Sequence, residues 1–155
     1  MRPLNEWLDR YAANHRNRAN EVLHWICVPP IVLALMGLLW SLPIPAAFRN
    51  ISAWLNWATL AAVAVLAYYF VLSPRLAVGL SIAFAMLLLI TRALAHLPVP
   101  LWISSLAIFV GAWAGQFLGH AVEGKRPAFL EDLQFLLVGP VWLLAAVYRK
   151  FSLPY

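Results

Sequence analysis

Hydrophobic positions in this chain gather into long unbroken runs, with no strict alternation that would suggest strands. Four runs, at about 23–42, 53–72, 76–95 and 101–119, approach or reach the roughly 20 apolar residues that a helix needs to cross a bilayer. They are separated by SLPIPAAFRN, SPR and HLPVP, short segments in which proline ends one helix before the next begins. A fifth run, LQFLLVGPVWLLAAVY from Leu133 to Tyr148, is interrupted in its middle by Gly139-Pro140, which predicts a re-entrant or interfacial hairpin in place of a fifth crossing. A polar stretch leads in, and its residues 3–14 predict an approach helix. The pattern defines an all-α, integral membrane helical bundle of four transmembrane helices, with an N-terminal cytoplasmic helix and a C-terminal re-entrant or interfacial hairpin.

Two further features refine the elements. Pro29-Pro30 falls inside the first run, and proline within a helix removes a backbone donor and clashes with the preceding turn. A kink or break just after His24 is expected there, and irregular backbone at membrane depth is tolerated only where it is buried in protein or lines a wet cavity. The G-x-x-x-G from Gly111 to Gly115 predicts close helix packing.

Composition agrees with this reading. Of 155 residues, 64% are hydrophobic and 11% charged, far from the soluble average of about 25% charged. A single membrane-embedded domain over 1–155 is expected, because several spans must pack together to make an interior. The polar N-terminal twenty residues do not resemble a secretory signal, so the first span is expected to be retained. The lone Cys27 excludes an internal disulfide.

The net charge of +5 does not imply nucleic acid, because the basic residues are scattered among loops. With four spans, Arg2, Arg10, Arg16, Arg18, Arg75, Lys125, Arg126, Arg149 and Lys150 share one side, and only Arg49 and Arg92 lie on the other. A fifth crossing would reduce this nine-to-two bias to seven against four. Basic residues accumulate in cytoplasmic loops, so both termini are expected in the cytoplasm, in a bacterial cytoplasmic membrane or an endoplasmic reticulum. Trp40, Trp54, Trp57 and Trp102 then fall near the outer interface, and Trp25, Tyr68 and Tyr69 near the inner one.

Sidedness sorts the histidines. His15 and His24 precede or begin the first span and His120 ends the fourth, so all three share the cytoplasmic face, whereas His96 lies a bilayer away. Gln116, His120 and Glu123 are spaced i, i+4, i+7 and stack on one helix face. His15 and His24 are nine residues apart and would point about 180° apart on one unbroken helix. A turn in HRNRAN, whose asparagines favour caps, would fold His15 back towards His24. Three neutral imidazoles with a carboxylate nearby suit a divalent transition metal, and a site with open positions suits iron(II) and oxygen; zinc accepts the same ligands.

The pattern Tyr11-x-x-Asn14-His15-x-x-x-x-Asn20-x-x-x-His24, followed by the prolines of VPP, and later Trp113-x-x-Gln116-x-x-Gly119-His120-x-x-Glu123-x-x-x-Pro127-Ala128, resembles the 2-hydroxy fatty acid dioxygenase family of small membrane proteins. The resemblance spans nearly the whole chain. It implies an Fe(II)-dependent enzyme that uses O2 as cosubstrate for the α-oxidation of a 2-hydroxy fatty acid to the one-carbon-shorter acid, with no 2-oxo acid. Carried over position by position, it implies His15, His24 and His120 as metal ligands and Glu123 as the acidic position. Asn14, Asn20 and Gln116 are expected to orient imidazoles or bound substrate, as metal sites generally require. Cys27, where a glycine is expected, and Ala146, where relatives often carry an acid, depart from the pattern. A zinc-dependent membrane lipid hydrolase with Glu123 as general base, and a non-enzymatic lipid-binding module, remain open alternatives. A di-iron hydroxylase would need about twice the four histidines present. The partner expected is a membrane lipid or fatty acid.

Overall fold

The computed structural model describes residues 3–127, 130 and 134–155. Ala128 of the second motif, Leu133 at the start of the fifth run and Arg2 of the charge tally lie outside the described residues. Those residues form seven helices and no strand: α1 (Leu4–Ala13), α2 (Arg18–Trp40), α3 (Ala46–Ile51), α4 (Trp57–Leu72), α5 (Pro74–Leu94), α6 (Leu101–Glu123) and α7 (Phe135–Lys150).

Local chemistry sets the helix ends. The Asn17 side chain accepts from Ala19 N at the start of α2, Asn56 accepts from Ala58 N and Thr59 N at the start of α4, and Ser73 accepts from Leu76 N ahead of Pro74 at the start of α5. Each fills one or two of the donors that a helix leaves open at its first turn. Gly124 ends α6 with φ 71°, a left-handed position that glycine occupies without a Cβ penalty.

Three helices, α2, α5 and α6, are long and apolar enough to cross a membrane; α4 is a shorter apolar helix of 16 residues. The run at 53–72 is shortened because residues 52–56 stay outside the helix and Asn56 caps it.

The antiparallel pair α2 and α6 is the most extensive contact in the molecule. Asn20 sits where a Gly119 side chain would be, Cys27 does the same at Gly115, and Ser105 does so at Gly37. Small residues let the two backbones approach. Gly115 of the G-x-x-x-G thus makes the expected close contact, whereas nothing lies within 4 Å of a Cβ placed on Gly111.

Two expected breaks are absent. α2 runs continuously through Pro29-Pro30, and a cavity does open beside Val28. α7 is one continuous helix through Gly139-Pro140, not a hairpin. Pro140 cannot donate to the carbonyl four residues earlier, and next to that gap the Tyr69 hydroxyl donates to the Leu137 carbonyl at 2.7 Å. Gly139 meanwhile leaves room for the Tyr11 hydroxyl. α7 packs on α1, α5 and α2, with Trp7 edge-on to Phe135 at 5.2 Å between ring centroids.

Candidate metal centre

Three histidines from three parts of the chain meet at one end of the α2–α6 pair. The break in HRNRAN is present: α1 ends at Ala13, Asn17 caps α2, and His15 lies in the elbow between them. His24 follows on α2, and His120 comes from α6. All three are buried, and their candidate ligand atoms lie within 4.8 Å of one another. They could hold a metal ion. His96 is exposed beyond the end of α5 and takes no part.

Hydrogen bonds fix the orientation of two rings. His15 Nδ1 lies 2.6 Å from the Tyr11 carbonyl, and His24 Nδ1 lies 2.9 Å from the Asn20 carbonyl. A carbonyl only accepts, so each Nδ1 carries its proton and donates, and each Nε2 is left with a lone pair. These two lone pairs face each other, with Nε2 to Nε2 at 2.8 Å. Without a proton or a cation between them, two acceptors at that distance repel. Burial lowers the His15 pKa below the usual 6.5, against the Tyr11 carbonyl and the Glu123 and Glu21 charges, and the Lys125 charge adds to the lowering. A shared proton is thereby disfavoured at neutral pH, and a cation is what the arrangement fits. His120 Nδ1 is buried without a hydrogen-bond partner; its ring centroid is 5.1 Å from that of His15 and 5.0 Å from that of His24.

Glu123 lies outside this cluster. Its Oε1 accepts from Arg16 N at 3.1 Å, and its Oε2 accepts from Asn17 N at 2.7 Å and from Asn20 Nδ2 at 3.3 Å. The carboxylate thus ties the end of α6 to the elbow that carries His15. Asn20 completes the tie: its Nδ2 also donates to the Asn14 carbonyl at 3.2 Å. Neither Glu123 nor Asn20 lines the cavity described next.

That cavity, of about 160 Å³, opens on the imidazoles and is walled by α2, α6 and α7. Gln116 reaches it with a buried Nε2 that has no hydrogen-bond partner. Tyr11 lines it too and stacks on His15 with ring centroids 4.2 Å apart.

Several contributors escape a reading of the sequence. Phe135, Leu136, Gly139 and Pro140 of α7 form one wall, and Trp142 lies 5.5 Å from the His15 ring; nothing in an apolar run announces which face it turns to a site. Trp113 also lines the cavity, and its spacing from Gln116 and His120, i, i+3, i+7, was the available signal. Lys125, counted in the sequence only as a topology charge, donates from Nζ to the Ala13 carbonyl at 2.6 Å and caps the end of α1.

An apolar all-α fold with helices long enough to cross a membrane, built around three buried imidazoles facing a cavity, defines a multi-helix membrane protein with a metal-competent histidine site. The model of the Mpo1-like family, 2-hydroxy-palmitic acid dioxygenase Mpo1-like, matches residues 1–151, and the chain belongs to that family. The chain is also similar to the 2-hydroxy-palmitic acid dioxygenase MPO1 of Saccharomyces cerevisiae, 32% identical over 144 residues that cover 91% of this chain and 77% of the yeast protein. No solved structure matches.

Proposed function

We propose that the chain is a non-haem iron(II) dioxygenase that converts a 2-hydroxy fatty acid to the fatty acid one carbon shorter. The observation that carries this reading is the pair of facing, unprotonated Nε2 atoms of His15 and His24 with His120 beside them, in a chain of this family. Imidazole suits iron, and three protein ligands leave positions open for substrate and oxygen. When bound, iron(II) supplies oxygen activation and a positive charge for a carboxylate. The overall reaction balances without a separate reductant: one 2-hydroxy acid and one O2 give the shorter acid, CO2 and water, the substrate supplying all four electrons.

The protein's own groups orient and exclude. The Tyr11 and Asn20 carbonyls hold Nδ1–H of His15 and His24, which fixes the ligating tautomer and the ring planes, as the outer shell of a metal site does. The free Gln116 Nε2–H is placed to donate to an oxygen of the substrate head. Glu123 and Asn20 act on the elbow, keeping His15 against His24. The apolar cavity walls keep bulk water from the reacting carbon.

A zinc hydrolase would need a general base facing the cavity, and the Glu123 oxygens are committed to the elbow instead. A mere packing role for the histidines leaves the facing lone pairs and the unpartnered His120 Nδ1 without compensation. The chain is read as one membrane-embedded unit, with α4 as a fourth crossing, both termini cytoplasmic and the imidazoles at the cytoplasmic face. There a carboxylate head meets the site while its tail stays among the spans. Iron analysis combined with oxygen uptake on a 2-hydroxy fatty acid tests the proposal: bound iron with substrate-dependent uptake supports it, and zinc without uptake overturns it.

A further inference from the structure

The cavity that begins at the imidazoles has direction. Along α2 its lining runs from His24 to Leu35, and along antiparallel α6 from His120 to Phe109. Both walls therefore cover the same length, about 16 Å, while the enclosed volume of about 160 Å³ takes only part of an acyl chain and leaves the rest to the open side. Polarity falls off along it. Histidines and Gln116 stand at one end, Val28 and Trp113 follow, and Leu35 and Phe109 close the sequence at the other. Among the described lining residues none is charged. Leu35 is exposed, so the far end opens towards the lipid.

We infer that this groove along α2 and α6, walled on its third side by α7, is the binding site for a single acyl tail, with Leu35 and Phe109 flanking the mouth through which the end of a longer tail must pass. The inference rests on the function proposed above and adds the placement of the tail. An amphiphile with one acidic head matches the gradient: its charge can be met only at the imidazole end, and a second polar group along the tail would find no partner. Tails longer than the groove continue past Leu35 into the bilayer. Lipid surroundings are as apolar as the groove, so moving a tail from lipid into it gains little hydrophobic free energy. Selection must come from steric fit, and one bulky side chain at the far end should change it.

The test uses the full chain in lipid nanodiscs, loaded with iron, with Leu35→Trp and Phe109→Trp as occluding variants on opposite walls. Val110→Trp, on the lipid-exposed neighbour of Phe109, is the control. Binding of 2-hydroxyhexadecanoate and 2-hydroxydecanoate is measured without oxygen by calorimetry, then oxygen uptake on each. Both occluding variants should weaken the longer acid relative to the shorter by roughly tenfold or more, the scale at which a pocket rejects excess methylenes, with iron content equal to wild type. Val110→Trp should leave the ratio unchanged. An unchanged ratio in both occluding variants, with iron and uptake intact, would overturn the inference and place the tail in open bilayer. If wild type consumed no oxygen on either acid but the binding ratio still shifted, the groove would stand and the proposed reaction would fall. A variant that loses iron is replaced by the smaller Leu35→Phe, for which a shift in the same direction is required.

Discussion

At the scale of single residues the site is a matter of which nitrogen carries a proton. His15 and His24 each spend Nδ1–H on a carbonyl four residues earlier, and so present Nε2. The spacing in HRNRAN showed that a turn had to bring these two histidines together; it could not show that Glu123 would be spent on that turn. Glu123→Gln should therefore lower iron affinity by about 10–100-fold, as loss of an outer-shell partner does, whereas His15→Ala, His24→Ala or His120→Ala should abolish it. Iron titration of the four proteins separates these effects; an unaltered affinity in Glu123→Gln would return the carboxylate to a solvated loop.

Protonation adds a second expectation at this scale. Metal binding requires neutral imidazole and releases protons. Burial is the largest influence on His15 and holds its pKa below 6.5. With a lowered pKa the ligand stays neutral as pH falls through 6.5, and protons begin to compete only below that value. Equilibrium iron binding should thus be flat from pH 8 to about 6.5 and weaken at lower pH; a fall already beginning near pH 7.5 would contradict a buried, neutral His15.

At the scale of elements, the α2–α6 pair positions two of the three imidazoles, and small residues let it close. Close packing near Gly115 was legible from the G-x-x-x-G pattern. Gly119 repeats that spacing from Gly115, but its partner Asn20 was not legible, because it depends on the register between two helices nearly a hundred residues apart. Gly119→Ala would press a methyl into Asn20, the residue whose carbonyl orients His24. A loss of about 1–3 kcal/mol is expected, the usual cost of overpacking, accompanied by weaker iron binding. Gly111→Ala, with open space around it, should be neutral in both. Thermal denaturation in detergent compares the two; equal stability would remove the Asn20–Gly119 contact from the account. The α7 helix marks the opposite limit. Gly139-Pro140 read as a break in the sequence, yet tertiary contacts with Tyr11 and Tyr69 accommodate both residues inside one helix.

At the scale of the whole molecule, long apolar runs made the helical membrane character legible, and the charge bias supplied an orientation. Length did not transfer as well: α4 is cut to 16 residues by its Asn56 cap, a local hydrogen bond that hydropathy cannot register. Sidedness nonetheless separated His96 from the other three histidines, as the structure does. Reporter fusions at Tyr155 and in the 43–50 segment, which includes most of α3, should report the cytoplasm and the outside respectively; an external Tyr155 would make α7 a crossing helix.

Iron held by three imidazoles is the central claim. The direct measurement is metal content of the purified wild-type protein beside His15→Ala, His24→Ala, His120→Ala and His96→Ala, each prepared with iron(II) without oxygen. One iron per chain is expected in wild type and in His96→Ala, and none in the other three. Full iron in His24→Ala, or its loss in His96→Ala, would contradict the claim.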